Sequence, residues 1–205
     1  MALSATSKIL LVAVAAGTLG VLAGLWSNGG LWSNGGPLLR SEVGQRALQT
    51  VMDASAPAPP PGLAIARRGQ AIPALQLPGL DSKPVRIPAD FRGRPMLINL
   101  WASWCGPCIQ EMPELDRFAA AQGANGTQVV GIALDDAAAV QAFLQRIPVR
   151  YPILLDQAGP RDAGVQLGNG KGVLPYTVLV SADGRLLKQK IGPFEHGEID
   201  DWVAN

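Results

Sequence analysis

The residues best suited to chemistry are Cys105 and Cys108, the only two cysteines of the chain, which are separated by Gly106-Pro107. At the start of a helix, the first sulfur of such a pair lies among unpaired backbone N–H groups, and the helix dipole favours its thiolate. Cys105 is therefore predicted to be the nucleophile. Cys108 lies one turn further along, where it can attack a mixed disulfide on Cys105 and release the partner. The spacing predicts thiol-disulfide exchange.

Two other roles for the pair are weaker. A zinc site needs about four ligands, or three and a water. The chain offers only 2 Cys and 1 His, and that residue, His196, is far away in sequence and predicted to lie at the surface. A permanent structural disulfide across so short a loop would restrict the unfolded chain very little. The sequence thus predicts no metal and no cofactor beyond a redox-active Cys105–Cys108 disulfide.

The sequence around the cysteines predicts the elements that position them. The apolar run 95–101 is typical of a buried strand, and Ile109, Met112, Leu115 and Phe118 follow the cysteines at helical spacing. A strand, then the cysteine pair, then a helix is the setting that a redox Cys-x-x-Cys requires.

These residues resemble the thioredoxin superfamily, and more narrowly its membrane-anchored TlpA/ResA/CcmG-like thiol-disulfide oxidoreductases. The resemblance covers Ile72 to Val203 and is most specific at Asn99 to Leu115 and at Gly172 to Leu187. It implies an α/β thioredoxin-like fold, with a central mixed sheet flanked by helices. It also implies one extra strand and helix between Cys108 and Pro175.

The resemblance assigns proton transfer to Glu111. Asn99 occupies the position where thioredoxin itself has a buried Asp, and the anchored family has an acidic residue three positions after the second cysteine. Burial and a nearby thiolate would raise the pKa of Glu111, so that it could exchange protons with Cys108 near neutral pH. Spacing alone would favour an ordinary exposed helix glutamate.

The resemblance also assigns residues to substrate binding. Pro175 corresponds to the cis-proline that faces the cysteines in this fold, although a plain proline at a strand entry is the alternative. The backbone before such a proline pairs with an extended substrate. The residues implied to contact substrate are Trp104, Gly106, Pro107, Val173 and Leu174.

The N-terminus predicts export. Residues 9–26 are 18 apolar or small residues without a charge, long enough for one membrane crossing of about 27 Å, and Lys8 precedes them. We predict a cytoplasmic segment 1–8, a transmembrane helix 9–26 in a bacterial inner membrane, and a catalytic domain in the periplasm. A cleaved secretory signal is the alternative.

The remaining chain divides into a spacer, 27–62, and a thioredoxin-like domain, 63–205. The spacer contains a duplicated LWSNGG, an apolar helical pattern over 39–51 that predicts a short surface helix, and the proline-rich stretch 54–62. A flexible approach to Pro175 is predicted over 168–172. Predicted strands are 96–101, 128–134, 152–155, 176–181 and 185–191, and predicted helices are 106–121, 136–147, 160–167 and 195–203.

The sequence thus predicts an enzyme that reduces disulfides of exported proteins. The resemblance implies apocytochrome c or a copper-site protein as substrate, and a membrane thiol transporter of the DsbD or CcdA kind as electron source. A disulfide-forming oxidant and a non-catalytic escort of a copper-site assembly factor are the alternatives. The net charge of +1 argues against a nucleic-acid partner.

Overall fold

The computed structural model, which describes residues 41–204, is built around a five-stranded mixed sheet. The strands of the chain are β1 (Leu75–Pro78), β2 (Pro84–Ile87), β3 (Met96–Trp101), β4 (Gln128–Leu134), β5 (Ile153–Asp156), β6 (Tyr176–Val180) and β7 (Leu186–Ile191). The main sheet has the order β5-β4-β3-β6-β7. β4 is parallel to β3 and to β5, whereas β6 is antiparallel to β3 and to β7. This is the thioredoxin-like architecture that the sequence predicted.

The central strand β3 separates two hydrophobic cores. All six of its residues are buried, and they alternate between the two faces of the sheet. Ile98 and Leu100 belong to one core, while Leu97 and Trp101 belong to the core that also contains both cysteines. Burial on both faces explains why this strand is a continuous apolar run in the sequence.

The helices are α1 (Glu42–Ser55), α2 (Gly106–Ala121), α3 (Ala137–Arg146), α4 (Ala163–Gln166) and α5 (Glu198–Ala204). The predicted bounds of β3, β4 and α2 are confirmed, and the other predicted strands and helices lie within a few residues of the observed ones. α4 is shorter than predicted because Asp162 caps it, accepting the N–H of Val165. α5 begins later than predicted, directly after Gly197, which has a φ of +78°.

Two features of the fold were not predicted. β1 and β2 form an antiparallel hairpin, which is joined to the edge strand β5 by a bridge between Gly79 and Leu154. A cis peptide bond joins Ile87 to Pro88. The hairpin therefore covers an edge of the main sheet. Between the cysteine helix and Pro175 the chain forms β4, β5 and two helices, Ala137–Arg146 and Ala163–Gln166.

Helix α1 lies in the segment predicted as a spacer with a short surface helix. Residues 46–204 form one compact unit, so most of α1 belongs with the catalytic domain. Its apolar Val51 is 64% exposed, whereas Gln49 is buried. Among residues 41–204, no helix is long and apolar enough to cross a membrane. The predicted anchor, residues 9–26, lies outside the described residues.

Candidate active site

Cys105 and Cys108 form a disulfide at the N-terminus of α2. Cys105 is the N-cap residue, and its sulfur accepts the N–H of Cys108 at 3.3 Å. Pro107 occupies the first turn, where a missing N–H costs nothing. Cys105 is 5% exposed and Cys108 is fully buried. Solvent and substrates therefore reach the pair from the Cys105 side. The roles of nucleophile for Cys105 and resolving cysteine for Cys108 stay predictions.

The surface around Cys105 is formed by residues predicted to contact substrate. Gly106 and Pro107 are exposed, and the indole of Trp104 is 70% exposed. Asp135, at the end of β4, accepts both the N–H of Ser103 at 2.9 Å and its hydroxyl at 2.6 Å. Asp135 thus fixes the turn that leads into the cysteines, a role that the sequence did not predict because the two residues are 32 positions apart.

Glu111 is a buried carboxyl on the cysteine helix, only 1% exposed, which excludes the exposed-glutamate alternative. Its Oε1 accepts Asn99 Nδ2 at 2.7 Å, and its Oε2 accepts the N–H of Phe194 at 2.9 Å. Asn99 Nδ2 also donates to Thr177 Oγ1 at 3.0 Å. Cys108 and Glu111 are three residues apart on the buried side of α2, where neighbouring turns meet.

Burial raises the pKa of Glu111 to about 7, against an ordinary value of 4.5. The two hydrogen bonds, from the Phe194 N–H and from Asn99, favour the carboxylate and limit this rise, as does the positive charge of Lys190. The result is a carboxyl that gains and loses a proton near neutral pH, which is the property a general acid-base needs.

Lys190 reaches this region from β7. It pairs with Thr177 across the sheet, so that both side chains lie on the face that carries Asn99. Lys190 is 2% exposed, and its ammonium lies 2.7 Å from Glu198 Oε1 and 5.0 Å from the centre of the Phe194 ring. This ion pair, in which the lysine is buried and the glutamate is partly exposed, contributes to the electrostatic field at Glu111.

A second carboxyl of α2, Glu114, holds the loop before α5. It accepts Arg117 at 2.7 Å and the N–H of Gly197 at 2.8 Å, and His196 Nδ1 lies 3.0 Å from it. The hydrogen bond from Arg117, above all, lowers the pKa of Glu114 to about 2. His196 is 89% exposed, which confirms its predicted surface position. Glu111 and Glu114 together attach this loop to the cysteine helix at Phe194 and Gly197.

The Leu174–Pro175 peptide bond is cis, as predicted. Leu174 is partly buried and packs against both hydrophobic cores, so that it lies at the junction between the two faces of the sheet. The run 168–172, predicted as a flexible approach, is instead held by hydrogen bonds. Asn169 accepts the N–H of Gly172 at 3.0 Å, and the Gly168 carbonyl accepts Gln49 Nε2 at 2.8 Å.

Sequence reasoning missed Asp135, Asn169, Lys190 and Phe194 as components of the site. Only Lys190 left a signal, since it is a charged residue at an inward position of a strand. Among residues 41–204, no cluster of three or more His, Cys, Asp or Glu side chains could hold a metal.

Comparison with protein families and known proteins shows what the chain is similar to. The model of the redoxin family matches residues 67–204. The thiol-disulfide oxidoreductase ResA of Bacillus thuringiensis is 27% identical over 136 residues, which are 66% of this chain and 76% of that protein. The sporulation thiol-disulfide oxidoreductase A of Bacillus subtilis is 27% identical over 149 residues, which are 70% of this chain and 87% of the relative.

Solved structures give the same result. A putative thiol:disulfide interchange protein DsbE from Chlorobium tepidum superimposes with a TM-score of 0.59 and is 27% identical. The match covers 68% of this chain and 96% of the other. The similarity therefore extends over nearly the whole of that protein.

Proposed function

Because this chain belongs to the redoxin family and is a thiol-disulfide oxidoreductase, we propose that it works as a dithiol reductant of exported proteins. The observation that carries the proposal is a buried carboxyl with a pKa of about 7, one helical turn from the buried Cys108. Such a group supplies what the resolving cysteine lacks, which is a base that works near neutral pH.

The reaction begins with the reduced chain. The Cys105 thiolate attacks one sulfur of the substrate disulfide, so that a mixed disulfide forms and the other substrate sulfur leaves as a thiolate, which takes up a proton. Glu111 then accepts the proton of Cys108. The Cys108 thiolate attacks Cys105, and the second substrate sulfur leaves and is protonated in turn. Two electrons pass to the substrate, and the chain is left with its Cys105–Cys108 disulfide.

The direction of electron flow is supported by the residues between the cysteines. Gly106-Pro107 is the thioredoxin dipeptide, and no histidine lies there to stabilise the Cys105 thiolate strongly. The oxidant DsbA has a nucleophile with a pKa of about 3.5, against about 7 in thioredoxin. A less stabilised thiolate makes the dithiol a better reductant.

We further propose where the reaction takes place. The uncharged segment 9–26 would anchor the chain in a bacterial inner membrane, with the catalytic domain in the periplasm. Substrates would be apocytochrome c or a copper-site protein. A membrane thiol transporter of the DsbD or CcdA kind would return the chain to its dithiol form.

Trapping with Cys108→Ala tests this proposal. A reductase that lacks its resolving cysteine should accumulate a mixed disulfide between Cys105 and its exported substrates, visible as dithiothreitol-sensitive species of higher mass. Cys105→Ala should accumulate none, because it lacks the nucleophile. An escort that binds without exchange would give no trapped species with either variant, and that result would overturn the proposal.

A further inference from the structure

The two residues before the cis-proline differ in whether their backbone polar groups are hydrogen-bonded. The side chain of Asn169 engages both polar groups of Val173: its Nδ2 donates to the Val173 carbonyl at 2.9 Å, and its Oδ1 accepts the Val173 N–H at 3.1 Å. Within residues 41–204, no hydrogen bond involves the N–H or the carbonyl of Leu174. Of the two residues predicted to pair with substrate, only Leu174 has its backbone groups available.

Asn169 is itself rigidly held. It is 3% exposed, its N–H donates to the Gly164 carbonyl at 2.8 Å, and its carbonyl accepts the Gly172 N–H. Gly164 is itself closely packed, because a Cβ there would lie 2.9 Å from Leu100 Cδ2 and 3.0 Å from Asp162 Oδ1. The amide that engages Val173 is therefore fixed in place before any substrate arrives.

The position of the free Leu174 groups follows from the sheet. The Pro175 carbonyl accepts the N–H of Gly192, which directly follows β7, so the β7 side of the chain is occupied at Pro175. The edge of β6 that faces β3 is paired as far as Tyr176, two residues after Leu174. β3 ends at Trp101, and the chain leads from there to Cys105, so this edge is open on the cysteine side.

We propose that Asn169 is a positioning residue that sets the docking register, so that an extended substrate forms one antiparallel residue pair, with Leu174 alone. The proposal rests on the proposed function and adds the register and a substrate requirement to it. A closely spaced antiparallel pair exchanges two hydrogen bonds between two residues. The substrate residue opposite Leu174 must then supply an N–H, so it cannot be proline.

The first test compares two disulfides, using the full-length reduced chain in single turnovers. One is a peptide with one internal disulfide, and the other is Ellman's reagent, which has no backbone to dock. Asn169→Ala should raise the peptide concentration that gives half of the maximal rate about five- to tenfold, which corresponds to docking weakened by about one hydrogen bond. It should change the rate with Ellman's reagent by less than about twofold. Asn169→Asp, which keeps the acceptor for Val173, should lie between. Asn125→Ala, at an exposed loop position, is the matched control.

The second test leaves the protein unchanged, so it does not depend on how the variant folds. Each backbone amide of the peptide is N-methylated in turn. One position, at a fixed distance from the attacked cysteine, should account for the whole loss of rate. Losses at two alternating positions, or a parallel loss with both disulfides in Asn169→Ala, would overturn the register alone. A wild-type chain that reduces Ellman's reagent but not the peptide would overturn the proposed function as well.

Discussion

At the scale of single residues, the account depends on where the proton of Cys108 goes. The side chain of Glu111 is almost completely buried, and two hydrogen-bond donors, Asn99 and the Phe194 N–H, favour its charged form. The donors offset part of the cost of burying a charge. This balance, and not burial alone, brings the pKa of Glu111 to about 7. A change in either donor would therefore shift the pKa of Glu111 without altering a cysteine.

The raised pKa of Glu111 predicts a pH dependence of stability. The folded chain keeps the Glu111 proton up to a pH of about 7, whereas the unfolded chain releases it near 4.5. Between these values the native state binds more protons, so the free energy of unfolding falls as pH rises, by about 3 kcal/mol from this group. Glu111→Gln should lose that fall. Denaturant titrations of the oxidised chain between pH 4 and 8, bracketing this window, measure it.

The exposed Glu195→Gln is the matched control and should keep the wild-type slope. The low pKa of Glu114, about 2, affects stability only below this window, since its contribution is lost as pH falls from about 4.5. If wild type and Glu111→Gln gave parallel curves, the carboxyl would not be the group that titrates.

At the scale of elements, the bounds of a strand or helix were predicted best where a single physical cause produced the sequence pattern. β3 and α2 have the predicted bounds, because β3 is buried on both faces and α2 follows the N-cap Cys105 with Pro107 in its first turn. The hairpin of β1 and β2 was missed because its strands are four residues long and bounded by prolines, which is too short for a periodic signal.

The site was predictable within the cysteine helix and, through the resemblance, at the cis bond before Pro175. Cys105, Cys108 and Glu111 lie within one short motif, so spacing and resemblance could place them together. The partners of Glu111 come from other elements: Phe194 is 83 positions away and Thr177 reaches it through Asn99. Tertiary pairing over such separations leaves no local pattern in one sequence.

For helix α1, the sequence predicted a helix in the right segment but not which side chains it buries. Its buried contact is polar: Gln49 donates to the Gly168 carbonyl, at the start of the loop that carries Asn169. Gln49→Ala should lower the free energy of unfolding by about 1–2 kcal/mol, because the Gly168 carbonyl loses its partner. Thr50→Ala, which removes only a bond within the helix, is the control. Denaturant unfolding compares them, and equal midpoints would show that α1 does not brace the loop.

At the scale of the whole molecule, the two hydrophobic cores support different parts of the site. The core on the cysteine face contains the disulfide, and the carboxyl of Glu111 and the partly buried ion pair of Lys190 and Glu198 lie beside it. The other core anchors the hairpin and the loop before Pro175 through Leu167 and Tyr176. Trp104 is exposed beside Cys105, and Leu174 packs against both cores.

The central claim is that this chain donates electrons, and its equilibrium redox potential tests that claim most directly. The full chain is equilibrated with defined thiol-disulfide buffers, and the fluorescence of Trp101 and Trp104 follows the oxidation state of the neighbouring cysteines. We predict a potential near or below about −220 mV, in the range of thioredoxin and the glutaredoxins. A value near −120 mV, that of the oxidant DsbA, would reverse the direction of electron flow and contradict the account.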